Sequence, residues 1–250
     1  GPFRDTHGSG FQRDTDRRKY PAMTSGSPLL EARGLAFRYP GGFGVGPLDL
    51  QLRPGELLLL AGPSGAGKST LLDLLAGSLS PASGRLLFRQ SAVLRTPLSA
   101  LAAYRRRIGI VDHRGSLLAD RSLRENLDFA LAARGVTAGA RRRERLQLLG
   151  RLGLLGLQDQ KPATLSTGEG RRAQLALALS GNPDALLLDE PLGNLPREIR
   201  QDLFQQLLEL RRAGTAILMT THDDELLGSG EGRVLRMDHG RLSAAPGSRP

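Results

Sequence analysis

The sequence contains no cysteine. That absence excludes disulfide scaffolds, thiolate zinc sites and cysteine nucleophiles together, and a reducing compartment fits it. Long hydrophobic runs are missing too. The most apolar short stretch, Leu57 to Ala61, falls far below the roughly 18 residues a membrane-spanning helix requires, so the chain is not expected to cross a bilayer by itself. Lysine is almost absent, occurring only at Lys19, Lys68 and Lys161, so arginine carries nearly all the basic charge. With 35 basic against 25 acidic residues, the net charge is +10. Such a balance suits nucleic acid or the anionic face of a membrane. The runs Arg105 to Arg107 and Arg141 to Arg143 are short, however, and sit in helix-like segments, so a solvated basic surface accounts for them. No specific nucleic-acid partner is expected.

At 250 residues and 39% hydrophobic content, one α/β core is the expected organisation. Residues 1–22 are polar and lack the apolar centre of a secretory signal. They read as a disordered tag or leader, with Gly1-Pro2 as the remnant of a cleaved tag and Met23 as a natural first residue. The domain is then expected over 23–250. Strand patterns at Leu30 to Tyr39 and Leu48 to Leu52, punctuated by Gly41-Gly42 and Pro54-Gly55, predict an antiparallel β beginning. Glu56 to Ala61 predicts a buried strand, and Lys68 to Leu79 has helical spacing. Further buried strands are predicted at Ile108 to Val111, Ala185 to Leu188 and Thr215 to Thr220, which makes a largely parallel sheet. Helices at Leu123 to Ala133, Ala138 to Leu152 and Gly168 to Ser180 predict a helical subdomain over about 114–182. A hairpin around Asp238-His239-Gly240 closes the chain.

Between the strand ending at Ala61 and the helix from Lys68 stands Gly62-Pro63-Ser64-Gly65-Ala66-Gly67-Lys68-Ser69. It fits G-x-x-x-x-G-K-[ST] in the strand–loop–helix setting that this phosphate-binding motif requires. The glycines let backbone N–H groups curl inward at a helix N-terminus, forming an anion nest. Lys68 is expected to reach the β and γ phosphates and Ser69 to ligate Mg2+, with Thr70 next in the helix. Kinases and GTPases remain open at this step. Asp189, at the end of the Leu186 to Leu188 strand, is the expected acidic partner of the metal. Glu190 follows, and at a frayed strand end it can turn toward the γ phosphate and polarise an attacking water.

Leu165-Ser166-Thr167-Gly168-Glu169 resembles the LSGGQ signature of ABC (ATP-binding cassette) ATPases, which P-loop kinases and GTPases lack. The resemblance implies a P-loop NTPase fold of class α/β. Its core is a mixed, mainly parallel sheet, joined by an antiparallel β subdomain and a helical subdomain. It implies that two copies dimerise around two ATP molecules, Ser166, Gly168 and Glu169 of one facing the P-loop of the other. It further implies that His222, in Thr220-Thr221-His222-Asp223, contacts the γ phosphate beside Glu190, and that Tyr39 stacks on adenine.

Within the family, the stretch from Ile108 through His113 to Asn126 and the run Glu190-Pro191-Leu192-Gly193-Asn194-Leu195 are most similar to cell-division ATPases of the FtsE type. Lipoprotein- and macrolide-exporter ATPases follow closely. That likeness implies an integral, FtsX-like membrane partner and a location on the cytoplasmic face of the cell membrane. Three positions depart from the family pattern. His113 stands where a glutamine approaches Mg2+, Thr167 replaces a signature glycine, and Pro196 replaces an aspartate that reports across the dimer. The departures imply a slow enzyme, or a scaffold that uses ATP binding more than turnover.

Overall fold

The computed structural model describes residues 26–93, 98–112 and 117–244. Strands β1 (Leu30–Arg38), β2 (Gly44–Leu52), β4 (Ser83–Phe88) and β5 (Ser91–Ala92) form an antiparallel sheet in the order β2-β1-β4-β5. Strands β3 (Leu57–Ala61), β6 (Ile108–Val111), β7 (Ala185–Leu188), β8 (Ala216–Thr220), β9 (Arg233–Asp238) and β10 (Arg241–Ala244) form the second sheet, ordered β10-β9-β3-β8-β7-β6. All its neighbours are parallel except the terminal β9–β10 hairpin.

The inner strands of this sheet are buried on both faces, so they read as continuous apolar runs, and their residues divide between two clusters with a period of two. Leu58 and Leu60 of β3, Leu187 of β7 and Leu218 of β8 pack with α1 (Lys68–Leu75) and the inner face of the antiparallel sheet. Leu57, Leu59, Leu186, Leu188, Ile217 and Met219 pack on the other face against α5 (Thr167–Leu179) and α6 (Arg197–Arg212). Each fully buried leucine contributes about 2 kcal/mol by leaving water. Helices α2 (Leu98–Arg106), α3 (Leu123–Ala133) and α4 (Ala138–Arg151), the single turn α7 (Asp224–Leu227) and two short 3-10 turns, Leu155–Leu157 and Pro162–Thr164, complete the described elements.

The expected buried strands and helices form, with shifted ends. β2 begins at Gly44 rather than Leu48, since pairing with β1 continues to Arg38↔Gly44. The helix expected to reach Leu79 stops at Leu75. Gly77 adopts a left-handed φ of 70°, and Ser78 N–H donates back to the Asp73 carbonyl, closing the end in the manner favoured by a glycine just past a helix. β4 and β5 were not expected from the sequence, and α2 was expected only as the helix-like setting of Arg105 to Arg107. β4 is paired and packed by the sheet rather than marked by strong local patterning, for only Leu86 and Phe88 in its Ser-Gly-Arg-Leu-Leu-Phe run are buried.

Candidate functional site

In an open parallel sheet, ligands gather beyond the carboxyl ends of the strands. Here β8 lies between β3 and β7, and the three run parallel. Their C-terminal edges therefore bring the 62–69 loop, Asp189-Glu190 and Thr220 to His222 to one rim, although 159 positions separate Gly62 from Thr221.

The loop is held by features specific to glycine. At Gly67 φ is 105°, a region that side chains rarely adopt, and a Cβ there would stand 2.8 Å from Val45 Cγ2. At Gly62 a Cβ would stand 2.2 Å from the Met237 carbonyl oxygen. Gly240 N–H, in the β9–β10 turn, donates to the Ala66 carbonyl at 2.9 Å and fastens the loop from behind. Lys68 Nζ donates to the carbonyls of Gly62 at 2.7 Å and Pro63 at 3.0 Å, which holds its charge against the loop. Pro63, Ser64 and Gly65 are exposed, and a Cβ on Gly65 would meet nothing within 4 Å. Helix α1 has no side-chain cap and no acid in its first turn. The N–H groups of that turn and the positive end of the helix dipole therefore favour an anion there. Ser69 is half-buried and Thr70 buried, and the Thr70 hydroxyl lies 3.3 Å from the Tyr39 hydroxyl. Tyr39 sits just past β1, packed edge-on by Phe37 and roughly parallel to Phe43.

At the adjoining strand ends, Asp189 is 5% exposed, and its Oδ1 accepts from the Thr220 hydroxyl at 2.7 Å. The same Thr220 oxygen accepts from Glu190 N–H at 2.8 Å. Glu190 has a φ of 49°, unusual for a residue with a side chain, so the chain turns immediately after Asp189. That turn brings Glu190 Oε2 within 2.6 Å of His222 Nδ1. Thr220 is a polar residue that sequence reasoning passed over. Its signal is a hydroxyl closing an otherwise apolar strand, Ala-Ile-Leu-Met-Thr, which burial requires to be paired.

The signature residues lie elsewhere. Ser166 caps α5, which packs beside β6 on the opposite face of the sheet from α1. β6 is three strands from β3, about 14 Å at ordinary strand spacing. Within one chain, therefore, the signature and the P-loop occupy opposite faces. Ser166 and Glu169 form a capping box: Glu169 N–H donates to Ser166 Oγ at 3.3 Å, and Ser166 N–H donates to Glu169 Oε2 at 2.8 Å. Gly168 is buried, and a Cβ there would stand 3.1 Å from Ile199 Cδ1. His113 lies outside the described residues, as do residues 1–22 and Met23.

The Ser166 hydroxyl, and after it the Ser166 N–H, holds the Glu169 carboxyl below the ordinary glutamate range. A depressed folded-state value means that the box is intact above the unfolded glutamate pKa of about 4.3 and is lost as pH falls through the lower folded value. In a carboxyl NMR titration, Glu169 is expected to titrate below the ordinary glutamate value. Its amide should exchange faster once it is protonated. Titration at the ordinary value would contradict this.

The glycine-rich loop between a buried strand and a helix, on an α/β sheet with Asp189 at a neighbouring strand end, places the molecule among the P-loop nucleotide-binding proteins. The family model described as "ABC transporter" matches residues 45–193, more than half of the chain, and the chain belongs to that family. It is an ABC ATPase. Over 200 residues it is 35% identical to the cell division ATP-binding protein FtsE of Escherichia coli K12, covering 80% of this chain and 90% of that one. It is 36% identical over 200 residues to the spermidine/putrescine import ATP-binding protein PotA of Bacillus cereus, covering 79% of this chain but only 59% of PotA. The dimeric post-hydrolysis structure of the cassette MJ0796, bound to ADP and Pi, superposes with a TM-score of 0.78 over 87% of this chain and 99% of that one. At 24% identity that likeness concerns the fold.

Proposed function

We propose that this chain is the ATP-hydrolysing subunit of a membrane complex, in which two copies close around two ATP molecules, and that its natural partner is an FtsX-like integral subunit. The observation that carries the reading is the convergence of Lys68, Asp189, Glu190 and His222 on one rim of the sheet. The 62–69 loop and Lys68 hold the triphosphate, and Tyr39 offers its ring to the base. Ser69 and the buried Asp189 form an all-oxygen donor pair, suited to Mg2+, which takes one or two side chains and completes its shell with water and phosphate oxygens. When bound there, Mg2+ neutralises charge that develops on the phosphoryl oxygens. Glu190 accepts a proton from the attacking water as its oxygen bonds to the γ phosphorus, and the bond from that phosphorus to the β–γ bridging oxygen breaks, releasing ADP and phosphate. His222, donating from Nδ1, orients the Glu190 carboxylate.

Ser166 and Gly168, on the opposite face from the P-loop, are read as facing the nucleotide of the second copy, with Glu169 locking the Ser166 turn. ATP should therefore drive dimerisation of a Glu190→Gln variant in light scattering, and Ser166→Arg should prevent it. Among the described residues no helix is long and apolar enough to cross a membrane, so attachment to the inner face of the cell membrane is read as running through the partner. The near-equal likeness to PotA supports a second reading, an importer subunit. Capture of the chain from detergent extracts with its neighbouring membrane subunit decides between them: a four-helix FtsX-like protein supports the first, an importer permease the second.

A further inference from the structure

We propose that Arg200 is a positioning residue for hydrolysis, setting His222 against Glu190 through Asp223; this rests on the catalytic reading of Glu190 and His222 above. The His222 side chain is 69% exposed, so packing does not hold it. An exposed hydrogen bond such as the one it makes to Glu190 is worth little by itself, so the ring is placed by its backbone.

Upstream, that backbone is secured where Thr221 N–H donates to the Leu60 carbonyl of β3 at 3.1 Å. Downstream it enters α7, which is one turn long and cannot sustain itself. Asp223 caps that turn, its Oδ1 accepting from Glu225 N–H at 2.9 Å and Leu226 N–H at 3.4 Å. The other oxygen, Oδ2, meets Arg200 Nη1 at 3.1 Å, and Arg200 Nη2 meets Glu225 Oε2 at 3.3 Å. Arg200 thus grips both the cap and the first turn. It projects from α6, a 16-residue helix anchored in the core by Leu203, Phe204, Leu207 and Leu208.

The same residue is tied to the other half of the catalytic pair. Glu190 leads into α6 through the 191–196 turn, and Arg200 N–H donates to the Pro196 carbonyl at 2.9 Å. Covalent chain from Glu190 to Arg200, ion pair to Asp223, peptide bond to His222 and hydrogen bond back to Glu190 form a closed circuit. Arg200, Glu190, His222 and Thr220 also line one small cavity of about 50 Å³, the scale of a few water molecules. Without the Arg200 link, α7 keeps its cap, the exposed Arg197–Glu225 pair and the buried Leu226, but Asp223 loses its tie to α6 and the imidazole beside it loses a fixed direction. Misplacement of a reacting group by about 1 Å costs on the order of a hundredfold in rate.

The test compares the full-length protein with Arg200→Gln, Arg200→Lys and Arg197→Gln. The last removes the exposed neighbouring pair to Glu225 and serves as a control. Steady-state phosphate release is read as kcat and KM, with thermal midpoints alongside. Arg200→Gln is expected to lower kcat about tenfold or more at unchanged KM for ATP, with Arg200→Lys recovering part of it and Arg197→Gln within about twofold of wild type. Histidine ring NMR signals, assigned with His222→Ala, supply a readout independent of turnover: Arg200→Gln should shift or broaden the His222 resonance. An unmoved His222 signal overturns the proposal, and so does a loss of kcat matched by loss of ATP affinity or of folding. If Glu190→Gln still hydrolyses ATP at the wild-type rate, the catalytic reading beneath it fails instead, whatever Arg200 does.

Discussion

Replacing Glu190 by glutamine is expected to cut phosphate release about a thousandfold while leaving ATP binding intact. The substitution preserves volume and one hydrogen-bonding oxygen, so the turn after Asp189, fixed by the Thr220 contact to the Glu190 N–H, survives. What it removes is the acceptor for the water proton, a role worth about a hundred- to ten-thousandfold. The contact to His222 at 2.6 Å is weakened as well, since the imidazole then donates to a neutral amide instead of a carboxylate. Phosphate release under saturating magnesium ATP, with nucleotide binding followed separately, is the measurement. A variant that turns over at the wild-type rate would remove Glu190 from the chemistry.

Thr220→Val should damage both stability and turnover, through one atom. Thr220 is fully buried, and valine matches its shape, so the change deletes the hydroxyl without opening a cavity. Asp189 loses one donor, at 2.7 Å, and Glu190 N–H loses its acceptor at 2.8 Å. Leaving buried polar groups without these partners costs about 1–3 kcal/mol each, more where one is charged. A loss of about 2–4 kcal/mol lowers Tm by the order of 10 °C in a chain of this size. Turnover should fall further than the stability loss explains, because the hydroxyl sets the directions of both the Asp189 carboxylate and the Glu190 backbone. Thr220→Ser, which keeps the oxygen, should restore most of the turnover and much of Tm. Equal behaviour of the valine and serine variants would show that the bridge is not needed.

The two predictions draw on different kinds of information. Glu190 was legible in the sequence because an apolar strand ending in Asp-Glu, downstream of a P-loop motif, is a local pattern with a chemical reason. Thr220 was not, since its importance comes from lying between two segments the sequence keeps apart. The glycine-rich loop and the apolar runs of β3, β6, β7 and β8 were likewise local, each written within a few residues by backbone sterics or burial. The element ends were less legible. The stop at Leu75 depends on Gly77 taking a left-handed conformation, and β4 on partners supplied by the sheet.

By itself, then, the sequence determined the glycine-rich loop, the acidic strand end and the kind of sheet that carries them, because these follow from periodicity and short-range chemistry, whereas His222 was singled out only through the family resemblance. The tertiary structure decided the strand order β3-β8-β7, which sets the Thr220 hydroxyl between Asp189 and Glu190. It also decided the separation of the signature from the P-loop on opposite faces, and the grip of Arg200 on the turn that bears His222. Strand order and face are set by which apolar surfaces bury one another across long stretches of chain, and no local pattern contains that choice.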